Sequence, residues 1–467
     1  MGAEVKPTLR SANRLLRDGI LALSKVQSNG IRIDRNYLQR ELKGIQKKRE
    51  EIKAGMESDE NVKWWKKRYG QAFNLNSNDQ LSEVLFDHMG IEPTKKTASG
   101  KASADASALE ELVEAHDIQM LKDIVALRKL NKAEGTYIGG ILRETGEDGL
   151  LHPFFHLHTA VTYRSSSTGV NFQNIPTRDK EVKRMIRGAF LPRDGRQILE
   201  IDFKGAEVSV ACCYHKDPAM YDYLCDPTKD MHRDMAKQLY ILDDKEWNKP
   251  IRQAAKNKFV FPEFYGSYYK QVAPDLWKYV AMNKCKIGKD ADGPTVIEHL
   301  KDKGIGSIEK FTEHVKKIEK HFWEKRFPVY SKWKEDWLSA YQKRGWFETY
   351  TGFRISGVLS RNDVINYPVQ GSAFHCLLWC LIQMQNWLEV KKFKSQIIGQ
   401  IHDSMVIDLD PSEKDAVLRK AQQLVQVRLP QHFTWIYLPL TIEAEMSGVD
   451  EAWLYKKEID LKPYSYR

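Results

Sequence analysis

The chain has 467 residues, with 73 Lys and Arg against 63 Asp and Glu, for a formal net charge of +10 at pH 7. That length allows a multi-part fold with a large core, and the basic balance suits a polyanionic partner while saying nothing of fold. Six cysteines without Cys-x-x-Cys spacing exclude a zinc ribbon or disulfide framework and read as reduced core thiols of an intracellular protein. No run is apolar and long enough to span a membrane, and the first ten residues lack the apolar stretch of a signal peptide.

In chain order, residues 15–34 show helical periodicity, then a turn at Gly30 and a short β-like run, Ile31-Arg32-Ile33. Residues 37–56 predict a charged helix with Leu38, Leu42 and Ile45 at helical spacing. Lys63–Tyr69 mixes cations with aromatics and suits either a phosphate backbone or, the favoured reading, an amphipathic packing face. Ser77 and Asp79 cap a further helix. Residues 93–107, rich in Lys, Ser, Ala and Thr, are expected to be mobile without a partner. Residues 109–128 resume a helical pattern.

Leu199-Glu200-Ile201 is an apolar, β-favouring run that ends on Asp202, and small residues then lead to Glu207 and a helix-compatible stretch to His215. Taken alone, Asp202 is a turn or cap residue. Arg252 and Lys256, four apart, share one face of a helix. Residues 279–303 read as a solvated loop, 308–341 as charged amphipathic helices and 347–355 as a β-hairpin. Apolar runs flank His402-Asp403-Ser404, the pattern of a hairpin with a polar tip. Two aspartates at the ends of β elements far apart in sequence suit a shared pair of divalent cations. Carboxylates favour Mg²⁺, and paired ions about 3.5–4 Å apart clamp an in-line phosphoryl displacement.

With these residues the chain resembles the A-family DNA polymerases, the group of the bacterial repair polymerase and many phage replicases. Asp202-Phe203-Lys204-Gly205-Ala206-Glu207 looks like the first palm motif of that family and His402-Asp403-Ser404 like its third. Residues 162–176, the stretch Arg252–Lys256 with Phe264-Tyr265-Gly266, and Asn366–Gly371 are similar to its other motifs, in family order from about Leu15 to Trp453. The resemblance implies a mixed α/β right-hand fold with an antiparallel palm sheet. Residues 1–35 would form a lead-in at the palm edge, 36–148 the thumb, 149–225 and 346–467 the two parts of the palm, and 226–345 the fingers.

The resemblance also implies a DNA-directed DNA polymerase that adds dNTPs to a primer on template DNA with two Mg²⁺ ions, Mn²⁺ being able to substitute. Asp202 and Asp403, with the Phe203 carbonyl, would hold the ions. His232, Arg252 and Lys256 would bind the triphosphate, Phe261 and Tyr265 would shape the nascent pair, and Glu207 would exclude ribose. Arg164, Gln173, Asn174, Asn366, Gln370 and His402 would contact DNA. With no exonuclease module ahead of the matched region, the chain would be a polymerase module alone, either a naturally short enzyme or a fragment; proofreading would need a separate exonuclease or be missing, and a processivity subunit is another partner to consider. No membrane role is implied, and the setting would be cytoplasmic, with a phage enzyme in a bacterial host as one form. The rivals are a single-subunit RNA polymerase, against which Glu207 and residues 162–176 argue, and an inactive DNA-binding subunit, which would have lost Asp202 or Asp403.

Three departures from the family pattern stand out. Lys256 to Tyr265 is one residue longer than usual, with Pro262 beside the stacking aromatic, so a π-bulge or kink is expected there. The register then selects Phe261, with Phe259 as the alternative. Asn362 stands where the family has Arg, and Ser404 where it commonly has Glu, so only Asp202 and Asp403 remain as metal-holding acids.

Overall fold

A computed structural model describes residues 7–97, 100–177 and 179–466. Its centre is a five-stranded antiparallel sheet of β1 (Gln197–Phe203), β2 (Gln396–Ile401), β3 (Ser404–Leu409), β4 (Ile442–Met446) and β5 (Lys457–Glu458), in spatial order β5-β4-β1-β3-β2. In β1, residues Ile201 and Phe203 are buried while Glu200 and Asp202 are half-exposed. The pleat therefore gives one face to the core and the other to the carboxylates. Ser404 lies opposite Asp202 and Leu409 opposite Gln197, so the predicted hairpin sits beside the predicted acid strand.

Helix α1 (Leu9–Asn29) packs on β2 and along the longest helix described. The left-handed Gly205 (φ +61°) turns β1 sharply into α2 (Ala206–His215), which leaves Asp202 at the strand end and Glu207 in the first helical turn. The chain continues through α3 (Met231–Tyr240) and α4 (Lys249–Ala255) and returns to the sheet through α5 (Arg361–Lys391). The predicted hairpin forms from Trp346–Glu348 and Arg354–Ser356.

Residues 56–127 build a second core around the fully buried Trp65, with Leu85, Leu112 and Leu121. Trp65 Nε1 donates to Gln80 Oε1 (2.9 Å), and Trp64 stacks on His88. The Lys63–Tyr69 stretch is thus a packing face. More of residues 93–107 is anchored than its composition predicts, because Lys96 bridges to Ala102 and both Ser103 and Ala104 are buried. Ala98 and Ser99 of that stretch lie outside the described residues.

Residues 279–303 differ from the predicted loop. Val296–Asp302 is a helix with a Thr295/Glu298 capping box, and Val296 and Leu300 are buried under it. Lys-rich composition masked these two apolar anchors.

Gly399 in β2 shows how closely the sheet is packed. A Cβ there would enter the ring of Phe172, which is stacked on Trp453 at 5.5 Å and lies against Phe190. With the ring held from behind, Gly399→Ala is expected to cost about 1–3 kcal/mol, the usual penalty of overpacking. A urea denaturation curve measures it, and an unchanged midpoint would mean that Phe172 swings aside.

Candidate active site

Asp202 is the penultimate residue of β1, and Asp403 sits at the β2–β3 tip. The hairpin turns through His402, whose left-handed backbone (φ 48°) is held by Gln400 Nε2 donating to its carbonyl at 2.6 Å. Phe203 N donates to the Asp403 carbonyl (3.3 Å), joining the two tips. Burial, together with Asp403 and Glu200 nearby, pushes the Asp202 carboxyl up to about 7, and its Oδ1 is buried without a partner. An unpaired carboxylate oxygen beside a second carboxylate is the donor set that a hard divalent cation satisfies. Among the described residues no three His, Cys, Asp or Glu side chains cluster closely enough to hold an ion. Substrate oxygens, water and the Phe203 carbonyl would have to complete the coordination.

Asp403 and His402 line two cavities. The first, about 340 Å³, is bounded by Arg164, Glu207, Phe261, Tyr265, Asn366 and Gln370. Within it, Tyr265 O–H donates to Glu207 Oε2, and Arg164 Nη1 lies 3.4 Å from Glu207 Oε1. Three segments distant in sequence thereby meet on one carboxylate. Asn366 Nδ2 donates to the Tyr265 carbonyl (3.3 Å) from α5, where Gln370 shares its face. The second cavity, about 240 Å³, lies on the Asp202 side and adds Glu200, Ser404 and Lys456.

The extra residue between Lys256 and Tyr265 is absorbed in a π turn, Lys256–Val260, followed by a helical turn, Phe261–Phe264, with Pro262 near its start. A widened turn removes the backbone donor conflict that proline would create in a regular helix. Phe259 is fully buried against Phe322, whereas Phe261 faces the first cavity. Phe261 also meets His232 edge-on, and Lys256 Nζ lies 5.2 Å from its ring centroid.

Arg252 Nε donates to Asp230 Oδ2 at 2.6 Å, and Asp230 caps α3, which carries His232. Burial and the charges of Arg252 and Lys256 push His232 down to about 4, so it is neutral at neutral pH. This gathers His232, Arg252, Lys256 and Phe261 at one place. Gln173 Nε2 donates to Gln400 Oε1 (2.8 Å), which connects it to His402, while Asn174 is exposed beside it. Sequence reasoning missed Asp230 and Gln400. The first had a signal, a cap residue directly before the His232 helix; the second sits in an apolar strand and had none.

The family model for DNA polymerase family A matches residues 42–451. The chain belongs to that family. It is 25% identical to the DNA polymerase of Bacillus phage SP01 over 87% of this chain and 47% of that protein. It is 28% identical to the thermostable DNA polymerase I of Thermus aquaticus over 83% of this chain and 42% of that protein. The chain thus spans about half the length of the curated relatives it matches. Its fold is similar to the POL domain of Pol1 from M. smegmatis, solved in complex with DNA primer-template and dNTP. The TM-score is 0.73 at 22% identity, with 94% of this chain and 70% of that one covered. No helix among the described residues is long and apolar enough to cross a membrane.

The Asp202 environment has a measurable cost. Its carboxyl stands above the ordinary value of 3.8, at about 7, so the folded state binds more protons than the unfolded one between these values. Stability contributed by the protonated form is full below 3.8 and is lost as pH rises through about 7. In EDTA, Asp202→Asn is therefore expected to melt several degrees above the parent at pH 8, with the gap closing toward pH 4. No gap at pH 8 would mean that the site already relaxes around the charged pair.

Proposed function

We propose that this chain is the polymerase module of a template-directed DNA polymerase that extends a primer with dNTPs by two-metal phosphoryl transfer. The observation that carries this reading is the meeting of Asp202 and Asp403 at adjacent strand ends, beside a cavity walled by Glu207, Phe261 and Tyr265. Two Mg²⁺ ions, or Mn²⁺, held by Asp202, Asp403 and the Phe203 carbonyl would neutralise charge on the attacking and leaving oxygens.

The chain's own groups do the rest. Arg252 and Lys256 bind the triphosphate and offset charge on the departing pyrophosphate. His232, neutral and with an unpartnered buried Nδ1, has a hydrogen-bonding position left for a phosphate oxygen. Glu207, tied to Tyr265 and Arg164, fills the space into which a ribose 2′-hydroxyl would project. Rejection by such a filled, polar-bonded wall is steeper than by an apolar one. Arg164, Asn366, Gln370 and His402 line the first cavity, and with Gln173, which donates to Gln400, and Asn174 they would contact primer and template. We assign residues 1–35 to the lead-in, 36–148 to the thumb, 149–225 and 346–467 to the palm and 226–345 to the fingers; the separate core within residues 56–127 supports the thumb assignment. Partners are primer-template DNA, dNTPs and, for proofreading or processivity, other polypeptides.

Asp202→Asn and Asp403→Asn are each expected to abolish extension in a primer-extension assay while primer-template binding stays close to the parent's. Binding should rest on many phosphate contacts and weaken steeply with salt. Extension retained by either variant would overturn the metal assignment.

The fingers register gives a second test. Phe261 lacks an aromatic hydroxyl to stand in for a missing 3′-hydroxyl, so the enzyme should discriminate against dideoxynucleotides. Phe261→Tyr is expected to raise their incorporation about tenfold, in line with about 1–3 kcal/mol for one satisfied polar partner. The buried Phe259→Tyr should leave selectivity alone. Competition between ddNTP and dNTP in extension reactions reads both, and the opposite pattern would move the register by two residues.

A further inference from the structure

The second cavity holds a third carboxylate that the functional reading leaves unused. The pleat puts Glu200 on the same open face of β1 as Asp202, two residues along the strand. Both of its oxygens are engaged. Oε1 accepts from Ser404 Oγ (3.2 Å), and Oε2 accepts from Trp453 Nε1 (2.8 Å) and from Lys456 Nζ. Lys456 is clamped on its other side by Glu445, which lies opposite Glu200 on β4. A carboxylate with three donors already on it is a poor metal ligand, which agrees with the lack of a three-residue ligand cluster among the described residues.

Ser404 explains what the arrangement can do. It is 3% exposed, follows Asp403 directly and pairs with Asp202 across the strands. Its hydroxyl faces two acceptors, Glu200 Oε1 and the Ile401 carbonyl (3.0 Å). One hydrogen serves one acceptor fully at a time, so the hydroxyl is shared between the nearer Ile401 carbonyl and Glu200, which ties the end of β2 to β1 beside Asp202. Glu200 also keeps the Lys456 ammonium beside Glu445 and away from Asp202, whose Oδ1 is unpartnered. We propose that Glu200 is a positioning residue: through Ser404 and Lys456 it fixes the strand tips that carry Asp202 and Asp403 and so sets their affinity for divalent cations. The inference rests on the metal-holding role given above to those aspartates.

Groups that orient metal ligands without touching the ion typically change affinity 10–100-fold when removed. The test is a Mn²⁺ titration followed by electron paramagnetic resonance, on the full chain with primer-template and no nucleotide, so that turnover plays no part. Glu200→Ala and Ser404→Ala are each expected to weaken Mn²⁺ binding about tenfold, and the double variant no further than the weaker single, because both cut the same link. Single variants that bind Mn²⁺ within about twofold of the parent, or effects that multiply in the double, would overturn the proposal. Ser404→Ala keeps the backbone and carries the test alone should Glu200→Ala melt below the assay temperature. Asp202→Asn separates the two levels. If it abolishes Mn²⁺ binding while the Glu200 and Ser404 variants leave it intact, the positioning role fails alone; if it leaves binding unchanged, the metal reading fails with it.

Discussion

The structure depends on the register of β1 against β3. Pairing Ser404 with Asp202 brings a strand end and a hairpin tip from opposite halves of the chain together at one end of the sheet. A slip of one residue would turn Asp202 and Glu200 into the core and the apolar Ile201 and Phe203 outward. Burial of that apolar face therefore fixes the position of the acids. The hydrophobic energy of the sheet offsets the cost of holding Asp202 beside Asp403, visible as a carboxyl pushed to about 7.

The wall of the first cavity obeys a second constraint, the fit of one extra residue in a helix. Between Lys256 and Tyr265 the backbone widens once, in a π turn, and regains its phase by Phe261. That keeps Arg252 and Lys256 on one face and sends Phe259 into the core against Phe322. It also lets Tyr265 reach Glu207, which Arg164 approaches from a third segment. Polar contacts among distant segments hold this wall together, so its shape is a property of the whole cleft.

Two of the unusual features noted in the sequence border Asp403. Ser404 follows Asp403 and donates to Glu200 in the second cavity, and the lengthened helix lines the first cavity with Asp403. Trp453 stacks on Phe172, carries Arg187 over its ring and donates to Glu200, so one side chain near the end of the match couples the core to the acids.

By itself the sequence determined the elements whose signals are local. The β-favouring run into Asp202, the hairpin around His402-Asp403-Ser404 and the helical spacing of Arg252 with Lys256 are set by side-chain period and backbone preference, which neighbours in the chain decide. Even the π turn was legible, since a proline and an extra residue leave a helix few alternatives. Tertiary structure alone decided what depends on contacts across the chain. The helix at Val296–Asp302 declared itself through two buried apolar anchors amid lysines. Phe261 was separated from Phe259 only when Phe322 filled the space beside one of them. Glu200 and Gln400 read as ordinary strand residues until Lys456, Trp453, Gln173 and His402 came within hydrogen-bonding distance. Burial and polar satisfaction are properties of the packed chain, and no local pattern encodes which distant partner will provide them.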